Sequence, residues 1–535
     1  MTTAADLIAR RLFEAGCRHA FGIPGGEVLA LTDALDRAGI KVTLARHENC
    51  AGFMGEGAHH ADGAPAILFA TIGPGLANAA NVIANAHQDR VPMIVLTGCA
   101  PASLRHSYTH QVFDHVRLIE PISKAAFHVE AGTAAILADK AVTIATGGRP
   151  GPVLLDVPID VQTAEEPDKA FPPARPVSPM APAEGPDLEE ARRWLGEAER
   201  PLVIAGLDVL DAESAKAVRD FCEAANAPLI TSYKAKGVMP ETHPLALGGA
   251  GLSPLIDDKL MPVVRGADLI VLAGYDPIEM RVGWQNPWPE DARVVEFSAA
   301  ANRHWMHQAR LNFVGDVGAG LSALRRGLKE REARPRTDIE KVKAAIAAAL
   351  RCGEDWGPAA VVDACRKAFP ETGIATVDSG AHRILLSQIW TTHAPRGLLQ
   401  SSGLCTMGTA VPLAIGRKLA EPDRPVVAFV GDAGLEMFLG ELATIRDLKL
   451  GIPIVVFVDR QLGLIELKQR GSQLANLAVD FGGTDFPALA QALGGHGVWC
   501  RDRETLQGEL AAALERDSFT LLAAEIGPRA YDGRL

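Results

Sequence analysis

The stretch VVAFVGDAGLEMFLGELATIRDLKLGIPIVVFVDRQ, residues 426–461, predicts the fold of this chain. Residues 426–430 and 452–458 are apolar runs of strand length, and apolar residues recur at helical spacing from Leu435 to Leu448. Two buried strands joined by a helix form a βαβ unit in a parallel sheet. The pattern places Asp432 and Asp459 at the carboxyl ends of these strands, where open α/β sheets bind ligands.

The two aspartates and the turn between them predict a site for a metal ion and a diphosphate. Facing carboxylates repel each other unless a cation lies between them, and hard oxygen ligands select magnesium or calcium. The helix after Asp432 presents free N–H groups and its positive dipole end to an anion. The alternative reading is an ordinary turn, because Asp after Gly is common in turns and at helix starts.

The same alternation of strands and helices continues along the whole chain and predicts three domains. We expect an N-terminal domain at 1–162, a central domain at 187–330 and a C-terminal domain at 350–535, separated by a proline-rich linker at 162–186 and a charged stretch at 329–341. The predicted fold class is α/β, with three tandem, doubly wound, mainly parallel-sheet domains.

Composition and charge exclude several classes of protein. The net charge of -12 disfavours nucleic-acid binding, which needs clustered Lys and Arg. No apolar run approaches the length of a membrane span, and the N-terminus reads as an amphipathic helix rather than a targeting segment. The 8 cysteines are scattered without CxxC pairs, which indicates a reducing cytoplasm.

Residues 431–461 resemble the diphosphate motif of thiamine-diphosphate enzymes, in which Gly-Asp-Gly precedes an Asn or Asp at the spacing of Asp432 and Asp459. Ala433 stands in place of the second glycine. The resemblance implies Mg²⁺ bound by Asp432, Asp459 and the backbone carbonyl of Gln461. It extends over essentially the whole chain in the family's order of pyrimidine-binding, central and diphosphate-binding domains, and so implies the thiamine-diphosphate-binding fold.

The resemblance also implies a catalytic acid in the N-terminal domain. This cofactor needs a carboxyl group that donates to its pyrimidine ring, and a glutamate in a largely apolar pocket suits that role. Glu48, in RHENCAG after the strand KVTLA, matches the family's glutamate; its alternative is a helix cap or a surface carboxylate. Pro24 in GIPGG (22–26) and Asn78 after TIGPG (71–75) are implied as contacts of the pyrimidine ring.

Further cofactor contacts are implied in the C-terminal domain. DSGAH (378–382) resembles the turn that touches the diphosphate, GLCTMG (403–408) resembles the segment that bends the cofactor around a methionine, and LGLIELKQ (462–469) resembles a segment that lines its rings. The implied residues are Gly380, Ala381, His382, Cys405, Met407, Ala433, Gly434, Leu464 and Ile465.

Within the family, the chain is most similar to acetolactate synthases, and most closely to the catabolic, flavin-independent type. The matching segments are THQ (109–111), PISKAAFHV (121–129) and LAGYDPIEM (272–280). They imply His110 and Gln111 at the reacting carbon, decarboxylation of a 2-oxo acid, and carboligation of the resulting enamine to a second carbonyl. The alternative is a non-oxidative 2-oxo acid decarboxylase or carbon–carbon lyase.

Three further expectations concern partners and nearby side chains. Because PLVIAGLDVL lacks a glycine-rich dinucleotide turn, we do not expect a flavin. The resemblance implies a homodimer or homotetramer with active sites at subunit interfaces, acting on a small 2-oxo acid and an aldehyde or ketone acceptor. Lys468 is read as solvated, with pairing to an anionic substrate as the alternative, and His59 and His60 as helix surface.

Overall fold

Three six-stranded sheets, each parallel throughout, organise the chain. The computed structural model describes residues 2–104, 107–167, 177–278, 280–329 and 337–535. The predicted end of the central domain at 330, residues 168–176 of the proline-rich segment and Glu279 of LAGYDPIEM lie outside the described residues. Each sheet falls inside one of the three predicted ranges, whose end points stay a prediction.

The first sheet belongs to residues 2–166. Its strands and the flanking pair are β1 (Thr2–Thr3), β2 (His19–Ile23), β3 (Lys41–Leu44), β4 (Ala66–Ala70), β5 (Met93–Cys99), β6 (Ala125–His128), β7 (Pro152–Pro158) and β8 (Glu165–Glu166). Its helices are α1 (Ala4–Glu14), α2 (Leu29–Arg37), α3 (Glu48–Asp62), α4 (Pro74–Gln88), α5 (His115–Ile119), α6 (Ala134–Thr146) and α7 (Ile159–Gln162). The sheet order is β3-β2-β4-β5-β7-β6, and β1 pairs with β8 antiparallel.

The second sheet belongs to the central part of the chain. Its strands are β9 (Pro201–Ala205), β10 (Leu229–Ser232), β11 (Ala246–Ala250), β12 (Leu269–Ala273), β13 (Arg293–Ser298) and β14 (Leu311–Val314). Its helices are α8 (Pro186–Glu197), α9 (Ala212–Ala225), α10 (Pro254–Gly266) and α11 (Val317–Arg325), and α12 (Thr337–Leu350) precedes the third sheet. The sheet order is β11-β10-β9-β12-β13-β14.

The third sheet contains the two strands predicted at residues 426–430 and 452–458. Its strands are β15 (Ile374–Val377), β16 (Leu398–Gln400), β17 (Val426–Gly431), β18 (Pro453–Val458), β19 (His496–Cys500) and β20 (Thr520–Glu525). Its helices are α13 (Pro358–Ala368), α14 (Ala381–Ile389), α15 (Ala410–Ala420), α16 (Asp432–Glu436), α17 (Gly440–Leu448), α18 (Gly463–Gly471), α19 (Phe486–Ala492) and α20 (Arg503–Ala513). The order β16-β15-β17-β18-β20-β19 repeats that of the first sheet.

Successive side chains of each strand point to opposite faces of the sheet, and both faces are buried, as expected for a doubly wound fold. In the first sheet, Ala20 and Ile67 join one apolar core, whereas Phe21 and Leu68, one residue later, join the other. The second of these cores continues into the third sheet, because α3 packs against α15. This packing makes the first and third sheets neighbours.

The predicted helix after Asp432 is interrupted. The structure has α16 and α17 in place of one continuous helix, and the apolar positions Leu435, Leu442 and Ile445 are buried as the periodicity predicts. The ring of Phe438, between the two helices, packs against Gly408 and lies 5.6 Å from the ring of His47. The break between α16 and α17 therefore coincides with a contact between Phe438 and a distant segment of the chain. The spacing of apolar residues within 432–448 does not predict such a contact.

The prediction that His59 and His60 lie on a helix surface is wrong. Both side chains are buried, since α3 is covered along its length by neighbouring elements. His59 Nδ1 lies 2.8 Å from the carbonyl oxygen of Ala64. Burial lowers the pKa of His59 to about 3 and lowers the pKa of His60 well below its ordinary value, so both imidazoles are neutral in the folded protein.

No helix in the described parts of the chain combines the length and the apolar character needed to cross a lipid bilayer.

Candidate active site

A cavity of about 390 Å³ opens at the carboxyl edge of the third sheet. It lies beyond the ends of β15 and β17, where the strand order of the sheet reverses direction and where ligands bind in open α/β sheets. The metal and cofactor residues predicted in the C-terminal domain all line it: Gly380, Ala381, His382, Cys405, Met407, Asp432, Ala433, Gly434, Asp459, Gln461, Leu464 and Ile465.

Asp432 and Asp459 form a buried acidic pair in this cavity. Asp432 Oδ2 accepts hydrogen bonds from the backbone N–H groups of Asp459 at 3.1 Å and Arg460 at 2.7 Å. Burial raises the pKa of Asp432, and burial together with the adjacent Asp432 raises the pKa of Asp459 to about 7. The two carboxylates therefore repel each other in the absence of a cation.

The donor set fits a hard divalent cation. Besides the two carboxylates, the cavity is lined by Gln461, whose buried side-chain Oε1 accepts no hydrogen bond from any described residue. Carboxylate and amide oxygens are the ligands that Mg²⁺ and Ca²⁺ prefer. A cation between Asp432 and Asp459 would relieve the repulsion that raises the pKa of Asp459.

A turn and two helix starts form the part of the cavity suited to a diphosphate. α14 begins at Ala381 after Gly380, and α16 begins at Asp432. At Gly434, a side chain would place its Cβ 2.1 Å from Asp378 Oδ2, so only glycine fits. His382 stacks on Phe457, and burial lowers its pKa to about 3, so it is neutral. The backbone N–H groups and positive dipole ends at the two helix starts suit an anion.

The loop 401–409 brings Cys405 and Met407 to the cavity. Arg383 donates to Gln400 Oε1 at 2.7 Å and to Cys405 Sγ at 3.0 Å, which fixes the loop from α14. On the facing side, Leu464 and Ile465 begin α18. The cavity thus combines an acidic end with an apolar end, the division expected for a ligand with a charged tail and aromatic rings.

Asp378, which lies beside this cavity, and Tyr531, which lines it, were not predicted. Asp378, the first residue of DSGAH, is buried and accepts the N–H groups of Gly408 at 2.8 Å and Thr409 at 3.0 Å; burial raises its pKa to about 6. Tyr531 reaches the cavity from the chain's last segment, and burial raises its pKa. Asp378 could have been predicted, because it is the first residue of the DSGAH motif. Tyr531 lies in no motif, so no sequence pattern indicated it.

The residues predicted in the N-terminal domain meet at a different place, the carboxyl edge of the first sheet. Glu48 begins α3 and is buried, and Asn78 Nδ2 donates to Glu48 Oε2 at 3.0 Å. The turn containing Pro24 packs against Thr71, and the carbonyl oxygen of Gln111 packs against Gly73. The exposed residues Pro24, His110 and Gln111 border the same edge.

None of Pro24, Glu48, Asn78, His110 and Gln111 lines the cavity in the third domain. Within one chain, the described residues therefore form two half-sites: an acid half-site with Glu48 and Asn78, and a diphosphate half-site with Asp432 and Asp459. Lys468, predicted as solvated, is exposed at the rim of the diphosphate half-site.

The central sheet has the strand order of dinucleotide-binding domains, and its crevice holds two aspartates paired with arginines. Asp208 and Asp276 follow β9 and β12 at the switch point. Arg149 of the N-terminal domain lies 3.3 Å from Asp208 and 3.4 Å from Asp276, and Arg90 lies 3.2 Å from Asp276. The expectation that no flavin binds stays a prediction.

Three family models match the chain in the order of its sheets. Residues 2–118 match the N-terminal TPP-binding domain of thiamine pyrophosphate enzymes, residues 188–324 their central domain, and residues 378–524 their C-terminal TPP-binding domain. The two TPP-binding models cover the acid half-site and the diphosphate half-site.

The proteins similar to this chain include several acetolactate synthases. The chain is 32% identical to the acetolactate synthase isozyme 1 large subunit of Escherichia coli (strain K12), over 87% of this chain and 83% of that protein. It is 30% identical to the acetolactate synthase large subunit of Parasynechococcus marenigrum (strain WH8102), over 97% and 87%. It is 28% identical to the acetolactate synthase of Bacillus subtilis (strain 168), over 97% and 92%. The chain therefore belongs to the thiamine pyrophosphate enzyme family, as an acetolactate synthase-like, thiamine-diphosphate-dependent carboligase/decarboxylase.

Proposed function

We propose that the protein decarboxylates a 2-oxo acid and joins the resulting fragment to a second carbonyl compound, with Mg²⁺ and thiamine diphosphate. The observation that carries this proposal is the cavity of the third domain, which combines two buried carboxylates, two helix starts and an apolar end. The names of the similar proteins support ligation over simple decarboxylation.

The proposed cofactor site uses residues of the diphosphate half-site. Asp432, Asp459 and the backbone carbonyl of Gln461 would hold Mg²⁺, and the N–H groups that begin α14 and α16 would donate hydrogen bonds to the diphosphate. Met407, Leu464 and Ile465 line the apolar end. When bound, thiamine diphosphate would supply a nucleophilic carbon for the oxo carbon of the substrate.

The proposed proton chemistry belongs to Glu48. Its carboxyl group is buried, and the hydrogen bond from Asn78 to Oε2 leaves Oε1 toward the turn at Gly75. This arrangement holds one oxygen in place while the other exchanges a proton with the ring nitrogen of a bound aminopyrimidine. We assign contact with the acceptor carbonyl to His110 and Gln111, which are exposed on the neighbouring loop.

The two half-sites need a second copy of the chain to meet. Exposed apolar side chains accompany both: Tyr108 and Phe113 near the acid half-site, and Met437 and Ile465 near the diphosphate half-site. Burying such side chains between subunits is favourable. A homodimer, or a homotetramer built from two dimers, brings the acid half-site of one chain to the diphosphate half-site of its partner.

A cytoplasmic location, expected from the scattered cysteines, also stays a prediction.

The test is product analysis with defined substrates. The purified protein is incubated with thiamine diphosphate, Mg²⁺ and a panel of 2-oxo acids including pyruvate, with and without aldehyde acceptors. The proposal expects release of carbon dioxide and a new carbon–carbon bond, detected as an acetolactate-type hydroxy-oxo acid or an acyloin. If aldehyde is the sole product, the protein is a decarboxylase or lyase rather than a ligating enzyme. If no 2-oxo acid is turned over, both proposals are refuted.

A further inference from the structure

Cys99, His128 and Asp156 come together at the carboxyl edge of the first sheet, beside the acid half-site, and none of them is a residue of either half-site. Cys99 ends β5, His128 ends β6, and Asp156 lies near the end of β7, which separates those two strands in the sheet. In the register, His128 pairs with Asp156 and Cys99 pairs with Pro158. The side chains are therefore placed by three adjacent strands rather than by a loop.

The donor atoms of the three side chains are spaced as metal ligands are. Cys99 Sγ lies 3.8 Å from His128 Nδ1, and His128 Nδ1 lies 3.2 Å from Asp156 Oδ2. All three donor atoms lie within 4.8 Å of one another. Tetrahedral Zn²⁺ with sulfur, nitrogen and oxygen ligands at their usual bond lengths separates those atoms by roughly 3.2 to 3.7 Å. A small movement of Cys99 would complete this geometry.

The ligand carboxylate is held by a second layer of hydrogen bonds. Asp156 Oδ1 lies 2.8 Å from His115 Nδ1 and accepts from Thr97 Oγ1 at 2.8 Å. His115 Nε2 accepts the N–H of Gly73 at 3.0 Å, so the ring proton is on Nδ1 and is donated to Asp156. With Oδ1 occupied in this way, Oδ2 is directed toward His128. Partners of this kind orient ligating carboxylates in metal sites.

Space for a further ligand adjoins the cluster. Cys99, His128 and Asp156 all line a cavity of about 510 Å³, whose other walls include Phe113 and Val116. Three protein ligands facing open space is the pattern of zinc sites that keep a position for water or a substrate, whereas structural zinc sites have four protein ligands.

We propose that Cys99, His128 and Asp156 bind a divalent transition-metal ion, with zinc as the best fit, and leave one coordination position open to the cavity. A thiolate and an imidazole select zinc over magnesium, so this site differs in chemistry from the all-oxygen pair Asp432 and Asp459. The proposal concerns metal binding alone and does not depend on the reaction proposed above.

The test uses cobalt, because its spectrum reports sulfur ligation. The reduced, full-length protein is freed of metal with a chelator, supplied with excess thiamine diphosphate and Mg²⁺, and titrated with Co²⁺. We expect one equivalent of Co²⁺ per chain to produce sulfur-to-cobalt charge-transfer absorption. The oxygen ligands of the Asp432 site cannot produce this band, and Zn²⁺ is expected to remove it by displacement.

Variants assign the band to these residues. Cys99→Ser is expected to abolish it, and His128→Ala and His115→Ala to weaken Co²⁺ binding, the latter by about 10- to 100-fold. Cys352→Ser and Cys405→Ser, which alter thiols outside the cluster, are expected to keep it. The proposal is overturned if the unaltered protein shows no band and retains less than one zinc per chain after dialysis, or if Cys99→Ser keeps the band. If Cys99→Ser does not fold, the zinc content of His128→Ala decides.

Discussion

The ammonium group of Lys234, in the central domain, lies 2.5 Å from the carboxylate of Asp89 in the N-terminal domain. Lys234 also lies 3.3 Å from Glu56, and all three side chains are buried. Asp89 in turn accepts the N–H groups of Ser402 at 3.0 Å and Gly403 at 2.7 Å. This ion cluster therefore connects all three domains at the start of the loop that carries Cys405 and Met407.

Replacing Lys234 should destabilise the protein strongly. Lys234→Met leaves Glu56 and Asp89 buried without their cation, and breaking a buried ion pair by removing one partner costs about 3 to 5 kcal/mol. The free energy of unfolding is measured by urea denaturation. The matched control is Lys216→Met, which removes an exposed partner of Asp220 and should change the urea midpoint little. Equal effects of the two substitutions would contradict the structural role of the cluster.

Glu48→Gln tests the proposed acid. The amide keeps the hydrogen-bonding shape of the side chain but cannot exchange the proton, so turnover of a 2-oxo acid should fall by about 10²- to 10⁴-fold. Binding of thiamine diphosphate should change much less, because the diphosphate half-site is unaltered. Glu213→Gln, on α9 of the central domain, is the control. Turnover of Glu48→Gln at the unaltered protein's rate would remove Glu48 from the mechanism.

The buried His59 predicts a loss of stability at acidic pH. Its pKa is lowered by burial from 6.5 to about 3, so between these values the unfolded chain binds a proton that the folded chain does not. Stability therefore falls as the pH falls through this window, by up to about 1.4 kcal/mol per pH unit for this histidine. His59→Asn keeps a donor for the carbonyl of Ala64 and should flatten the slope of the urea midpoint against pH. His496→Asn, an exposed control, should not.

Asp459 predicts the opposite pH dependence in metal-free protein. Its pKa is raised from 3.8 to about 7 by burial and by Asp432, so ionising it in the fold is unfavourable. The metal-free protein should lose stability as the pH rises from about 4 to about 7. Mg²⁺ with thiamine diphosphate should restore it, and Asp459→Asn should remove this part of the pH dependence. A thermal-unfolding series at several pH values, with and without Mg²⁺, measures both effects.

The sequence predicted the sheets well because buried parallel strands are continuous apolar runs, as at 426–430 and 452–458. It also predicted which residues gather around the diphosphate half-site, since strand ends in one sheet share an edge. Contacts between segments that are distant in the sequence were not predicted. The break between α16 and α17 depends on the fit of Phe438 against Gly408, and the burial of His59 and His60 depends on packing around α3. The ion cluster of Lys234 has no local signature, because its members come from three domains.

Mixing two inactive variants tests whether the half-sites meet across a subunit interface. Glu48→Gln removes the acid half-site and Asp432→Asn removes the metal ligand of the diphosphate half-site. If each active site combines half-sites from two chains, a mixed dimer has one site with both half-sites intact and one site with both altered. Random mixing of equal amounts should then restore about a quarter of the unaltered activity. If each site is built within one chain, every site in every mixture carries one altered half-site, and the activity stays at the level of the separate variants.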